Sequence, residues 1–155
     1  MRTVAITGTF DSKGEEYFFL KKTFEEMGIQ TLTIHTGVFA PYFEPDIDNG
    51  EVFAAGGVDG DAIVAGNDRA AATKALSEGL AAMLPKLYAE GKFDGVISLG
   101  GSGGTSIASA GTRALPIGMP KILVSTMASG DTRRFVGSSD IIMMPSVLDV
   151  AGLNS

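Results

Sequence analysis

The chain has 155 residues, of which 45% are apolar and 19% charged: enough apolar mass for one buried core, and a composition unlike that of a disordered chain. Its formal net charge of -6 argues against a nonspecific nucleic-acid coat, although a local cluster of backbone N–H groups can still hold a single phosphate. With no cysteine and one histidine, His35, disulfides, thiol catalysis and His- or Cys-rich zinc sites are excluded.

Strand and helix signals alternate along the chain. Thr3 to Thr7 (TVAIT) is short, β-branched and apolar, as a buried strand requires. Tyr17, Leu20, Phe24 and Met27 then recur at three- and four-residue spacing and predict one face of a helix. Ser12 and Glu15 have the spacing of a capping box, and Gly28 that of a helix stop. QTLTIHTG is the second strand. The stretch from Val38 to Asn67 is less regular, with two prolines, many glycines and six acids, and is expected to be a long functional or mobile loop. An Ala-rich helix follows from Asp68 toward Gly91, with Pro85 expected to kink or break it. GVISLGG is the third strand, Thr105 to Leu115 a small-residue helix ended by Pro116, and KILVSTM and DIIMMPSV are the last two strands.

Near-continuous apolar strands separated by helices predict a Rossmann-like α/β fold: an open parallel sheet of about five strands, order 2-1-3-4-5, with helices on both faces. No apolar run is long enough to span a membrane, and no leader-like segment precedes the first strand. A cytoplasmic protein is expected, with neither nucleic acid nor membrane as partner.

In such a sheet ligands bind beyond the carboxyl ends of the strands. Three polar, small-residue loops fall there. SLGGSGGTS offers Gly100, Gly101, Ser102, Gly103, Gly104 and Thr105, where backbone N–H groups can converge on an anion and glycines allow positive φ or close approach. It is neither a Walker A loop, because no Lys-Ser/Thr pair ends it, nor G-x-G-x-x-G, because Ser106 stands where the last glycine would be. GTFDSKGEE supplies Thr9, Asp11, Ser12 and Lys13: hydroxyls, a cation for phosphate and a carboxylate for Mg²⁺. STMASGDT supplies Ser125, Thr126, Ser129 and Gly130. Turn chemistry and close packing of a small-residue helix on the sheet explain each loop separately. The acids from Glu44 to Asp61 lack EF-hand spacing and are expected to be solvated. His35 is expected to be structural. Arg133 and Arg134 either grip an anion or are simply exposed. Tyr42, Phe43 and Phe53 either cover a base or meet a partner. Serine nucleophile chemistry has no second histidine to serve as base.

Three blocks together resemble a known family: GTFDSKGEE, DGVISLGGSGGTSIASAGTRALPIGMPKILVSTMASGDT, and VGSSDIIMMPSVLDVAGLN. They are similar to the Tm-1-like family, also called UPF0261, whose N-terminal module is described as ATP-binding. The resemblance covers almost the whole chain and is weakest between Gly37 and Asn67. It implies a site for ATP with Mg²⁺, the family's Gly-Gly-Ser-Gly-Gly-Thr falling on Gly100 to Thr105 and its Ser-Thr-x-Ala-Ser-Gly on Ser125 to Gly130. The family's Asp-Thr-Lys appears as Asp11-Ser12-Lys13. Family members continue into a second lobe, so residues 1–155 are expected to be one Rossmann-like domain, a first lobe without its second. No reaction is implied. The expected function is nucleotide binding. The alternatives are half of an enzyme acting on ATP or a small phosphorylated or carboxylated metabolite, and a protein-interaction domain. The apolar C-terminal strand, with nothing after it to cover its far side, also suggests a homo-oligomer.

Overall fold

In a computed structural model of the chain, which describes residues 1–146, the apolar runs line up as five strands. In chain order the elements are β1 (Thr3–Gly8), α1 (Gly14–Glu26), β2 (Gln30–His35), α2 (Asn49–Ala55), α3 (Gly60–Ala65), α4 (Arg69–Ala89), β3 (Gly95–Gly100), α5 (Ser102–Arg113) and β4 (Lys121–Ser125). A 3-10 turn (Thr126–Ser129), α6 (Arg133–Val136) and β5 (Ile142–Pro145) follow. The strands pair in the order β2-β1-β3-β4-β5 and every pairing is parallel, as the sequence predicts.

Alternation along the strands divides the core into two faces. On one, Ala5, Ile34 and Val96 meet Val52 and Phe53 of α2, Leu76, Leu80 and Leu84 of α4, and Ile107 of α5. On the other, Ile6 meets Phe10 and Tyr17, with Leu20, Phe24 and Phe43 packed around them. Glycine sets the spacing between helices. A Cβ on Gly79 would stand 2.0 Å from the Val52 carbonyl oxygen, and one on Gly111 2.6 Å from Leu80. α2 and α4 therefore meet backbone to backbone, and the Leu80 side chain of α4 packs onto the backbone of α5. Lys121 is buried beside β5, where its ammonium donates to Pro116 O, Met119 O and Asp140 Oδ1.

Several local expectations change. Ser12 does not cap α1; Lys13 occupies the cap position and no side chain caps the helix, because the Ser12 hydroxyl is turned back onto Thr9. Met27 ends α1 exposed rather than on its buried face. Gly28 has φ +76 just past the helix, the left-handed stop its spacing suggests. α4 runs unbroken through Pro85. The stretch from Val38 to Asn67 is not one long loop. Asp48 and Glu51 form a reciprocal capping box on α2, and Asp59 caps α3. Ile47 bridges Ile34 and extends the sheet edge beside β2. The alternative to a homo-oligomer, that Val147 to Leu153 folds back as a short helix and covers its own domain, falls outside the described residues. Among those described, no helix is long and apolar enough to cross a membrane.

Candidate functional site

The sequence-predicted loops follow β1, β3 and β4, which are neighbours in a parallel sheet, so all three stand side by side at its carboxyl edge. β1 and β3 flank the point where the chain reverses direction across the sheet, the usual place for a ligand crevice.

The middle loop is shorter than the sequence suggests. α5 begins at Ser102 rather than Thr105, so Gly103 and Gly104 belong to its first turn and Gly101 is its cap residue. Thr105 N–H donates to Gly101 O at 2.9 Å, and the N–H groups ahead of it have no carbonyl within the helix to bond. Gly101 has no side chain to serve them. Asp48, Asp59 and Asp68 cap α2, α3 and α4 through their carboxylates, whereas the start of α5 is left open, with Ser102 and Gly103 exposed.

The glycines differ in what requires them: some are tightly packed, some have positive φ, and some, Gly50 of α2 among them, show neither reason. Gly8, Gly14, Gly37, Gly79 and Gly111 are required internally, because a Cβ on any of them would come within 2.6 Å of another group. Gly101, Gly103 and Gly104 are not. Among the described residues a Cβ would meet nothing closer than 3.9 Å at Gly101 or Gly104 and nothing within 4 Å at Gly103. Gly100 would make only ordinary contacts at 3.5 Å. None of these four has positive φ, so the left-handed geometry expected from the sequence is not the reason for glycine here. Neither is close packing of α5 on the sheet at this end.

The flanking loops are held by their own hydrogen bonds. Ser12 Oγ donates to Thr9 Oγ1 at 2.8 Å. Asp11 accepts from Ser12 N at 2.9 Å through Oδ1 and from Phe39 N at 3.1 Å through Oδ2, clamping the loop after β1 to the loop after β2. Gly37 makes room for this carboxylate, since a Cβ there would lie 2.1 Å from Oδ1. Among the described residues no three His, Cys, Asp or Glu converge, so Asp11 belongs to no carboxylate cluster. Lys13 begins α1 as its cap residue. On the other side, Thr105 Oγ1 and Ser125 Oγ lie 2.6 Å apart, both buried, and Ser125 Oγ also accepts from Met127 N at 3.0 Å. Those two hydroxyls tie α5 to the end of β4. Thr126 Oγ1 would be the nearest atom to a Cβ on Gly101, which sets its hydroxyl beside the open turn. Ser129 Oγ donates to Thr126 O, and Gly130 N to Met127 O.

The other candidates resolve individually. His35 is fully buried, as a structural residue would be. Its Nδ1 accepts from Phe10 N and Gly37 N, so Nε2 carries the proton and donates to Phe39 O at 2.8 Å. Arg133 is engaged by both carboxylate oxygens of Asp131, whose pKa falls below the usual carboxylate value because of that pairing. Arg134 lies over the Phe135 ring. Phe53 belongs to the core and Phe43 stacks on Phe10, which leaves Tyr42 exposed.

Sequence reading missed Tyr17 as a site-shaping residue. It reaches past Gly8, where a Cβ would collide with its ring at 2.0 Å, to the end of β3. Its hydroxyl accepts from Leu99 N at 2.8 Å, donates to Leu99 O, and lies 3.2 Å from Ser98 Oγ. Burial pushes its pKa up to about 12, so it stays protonated and fixes the strand end from which the glycine turn departs. The one available signal was a tyrosine on an otherwise apolar helix face, which needs a polar partner when buried.

Fold and rim together define an open, doubly wound parallel α/β domain with a helix start accessible at its switch point. A family model described as "Uncharacterised protein family (UPF0261) N-terminal domain" matches residues 2–155, and the chain belongs to that family. A UPF0261 protein of Clostridium tetani is 45% identical over 155 residues, covering 99% of this chain and 38% of that protein. A UPF0261 protein of Rhizobium meliloti is 44% identical with the same coverage. The ToMV resistance protein Tm-1(GCR237) of Solanum lycopersicum is 46% identical over 87 residues, 56% of this chain and 12% of that protein. The chain thus spans well under half the length of these relatives.

Proposed function

We propose that the chain is the nucleotide-binding part of a Tm-1-like protein, taking the phosphates of ATP on the open first turn of α5. The observation that carries this reading is the run of four glycines, Gly100, Gly101, Gly103 and Gly104, gathered at one helix start, that neither close packing nor positive φ requires among the described residues. Glycine in a helix costs about 0.5–1 kcal/mol relative to alanine, and here no packing or backbone geometry offsets it. A ligand that must touch the backbone N–H groups supplies the missing reason.

The donor set fits a phosphate group: unserved N–H groups of the first turn, the neighbouring Thr126 hydroxyl, and the positive end of a twelve-residue helix. Lys13 would neutralise charge from the adjacent loop. The residues do not form a protein cage for a metal. Mg²⁺ bound mainly by phosphate and water would need no more than one carboxylate from the same rim, and Asp11 on the loop after β1 would supply it. Thr9 and Ser12 shape that loop, while Thr105 and Ser125 hold α5 in place.

Isothermal titration with MgATP, ADP and inorganic phosphate tests the reading. Saturable heat with MgATP that disappears in Gly103→Val is expected, since valine there blocks backbone approach. No heat from any of the three, or unchanged heat in the folded variant, would overturn it.

A further inference from the structure

The charge of this molecule is not spread over it. The segment 37–67 holds six acids (Glu44, Asp46, Asp48, Glu51, Asp59 and Asp61) and no Lys, Arg or His. Subtracting six from the eighteen acids of the chain leaves twelve, equal to its twelve Lys and Arg, so this segment accounts for the whole net charge of -6. All six acids are exposed, and none has a cationic partner among the described residues.

The same segment folds into a groove of about 810 Å³ between the loop after β2 and the helices α2 and α3. Phe53 and Val58 line it from below, and Phe39 and Val64, both exposed, stand in its walls. Asp48, Asp59 and Asp61 also line it, and no lining residue is cationic. None of the glycine-turn or β4-loop residues takes part. The loop wall is fixed from behind by His35 and Asp11, both bonded to the Phe39 backbone. Asp48 and Asp59 are held at their helix starts by the N–H groups they cap. An apolar trough with an acidic rim on rigid supports matches a chain that offers apolar side chains between positive ones.

We infer that this groove is a docking site for a basic amphipathic polypeptide segment, one with a Leu- or Phe-sized anchor flanked by Lys or Arg. The anchor seats against Phe39, Val58 and Val64, and the flanking cations face Asp48, Asp59 and Asp61. A small polyamine would satisfy the rim but leave the apolar floor unused. An acidic or neutral segment would leave the rim charges unpaired.

The test is fluorescence anisotropy with a labelled twelve-residue peptide of leucine and lysine. The controls are the same peptide with glutamate in place of lysine, and spermidine as competitor. The wild-type chain is expected to bind the basic peptide saturably and the acidic one not at all. Asp61→Lys should weaken binding about tenfold, and Val64→Ser, which leaves charge untouched, several-fold. Glu90→Lys makes the same charge change at the end of α4 and should alter affinity by no more than about twofold. Circular dichroism confirms that each variant is folded. Equal weakening by Asp61→Lys and Glu90→Lys, no effect of Val64→Ser, equal binding of the acidic peptide, or full displacement by spermidine at the peptide's own affinity would each overturn the inference. So would light scattering that shows the groove filled by a second copy, released only in Val64→Ser.

Discussion

Thr7 lies fully buried near the end of β1, and its hydroxyl has no hydrogen-bond partner among the described residues. A buried hydroxyl left unpaired costs about 1–3 kcal/mol relative to an apolar group of the same shape. Thr7→Val is therefore expected to leave stability unchanged or raise it by about 1 kcal/mol in urea unfolding. A clear loss would show that the hydroxyl has a partner. Tyr17 is the opposite case. Its hydroxyl serves the N–H and the carbonyl of Leu99, so Tyr17→Phe leaves two backbone groups unsatisfied at the strand end beneath the glycine turn. A loss of about 1–3 kcal/mol is expected by the same measurement, and an unaltered midpoint would contradict it.

At the scale of elements, the strands were legible because their apolar, β-branched runs depend on neighbours in sequence. The order of the sheet was legible because parallel winding leaves few choices. α2 and α3 were hidden, although Asp48 and Glu51 carry a capping-box spacing, because glycines and prolines around them read as breakers. The start of α5 was misplaced for the same reason: Gly103 and Gly104 have poor helix propensity, yet they are helical. The difference between glycines packed tightly and those left open depends on contacts between elements, such as Gly79 with Val52 and Gly111 with Leu80, so no local pattern could carry it. Asp140 gives an element-scale test of pH dependence. The Lys121 ammonium first, and Gly118 N–H second, hold its pKa below the usual carboxylate value. The stability it confers on the β4–β5 junction is fully present above the ordinary Asp pKa and is lost as pH falls through the depressed folded value. Thermal unfolding should show a smaller loss between neutral and acid pH in Asp140→Asn than in wild type, from a lower starting point. Equal slopes would contradict this.

Across the whole molecule, four isoleucines lie in register on one face of the sheet: Ile6, Ile97, Ile122 and Ile142. α1 covers the first completely, the next two are half-buried, and Ile142 is 61% exposed, with Met144 beside it on the same edge strand. Among the described residues, α1 is the helix that covers this face, over β1 and β2. Among the described residues no strand pairs with the far side of β5, and an apolar edge of this kind favours association. Light scattering is expected to show a dimer that Ile142→Lys converts to monomer, whereas a wild-type chain that stays monomeric at high concentration would remove the expectation.

The central claim is that the first turn of α5 is kept bare for a ligand, and Gly103→Ala tests it most directly. Alanine fits there with nothing among the described residues within 4 Å and no positive φ to oppose it. Stability and MgATP affinity should therefore move in opposite directions: unfolding free energy up by about 0.4–1 kcal/mol, and the binding heat diminished or lost. A variant that is more stable and binds MgATP as tightly as wild type would contradict the claim.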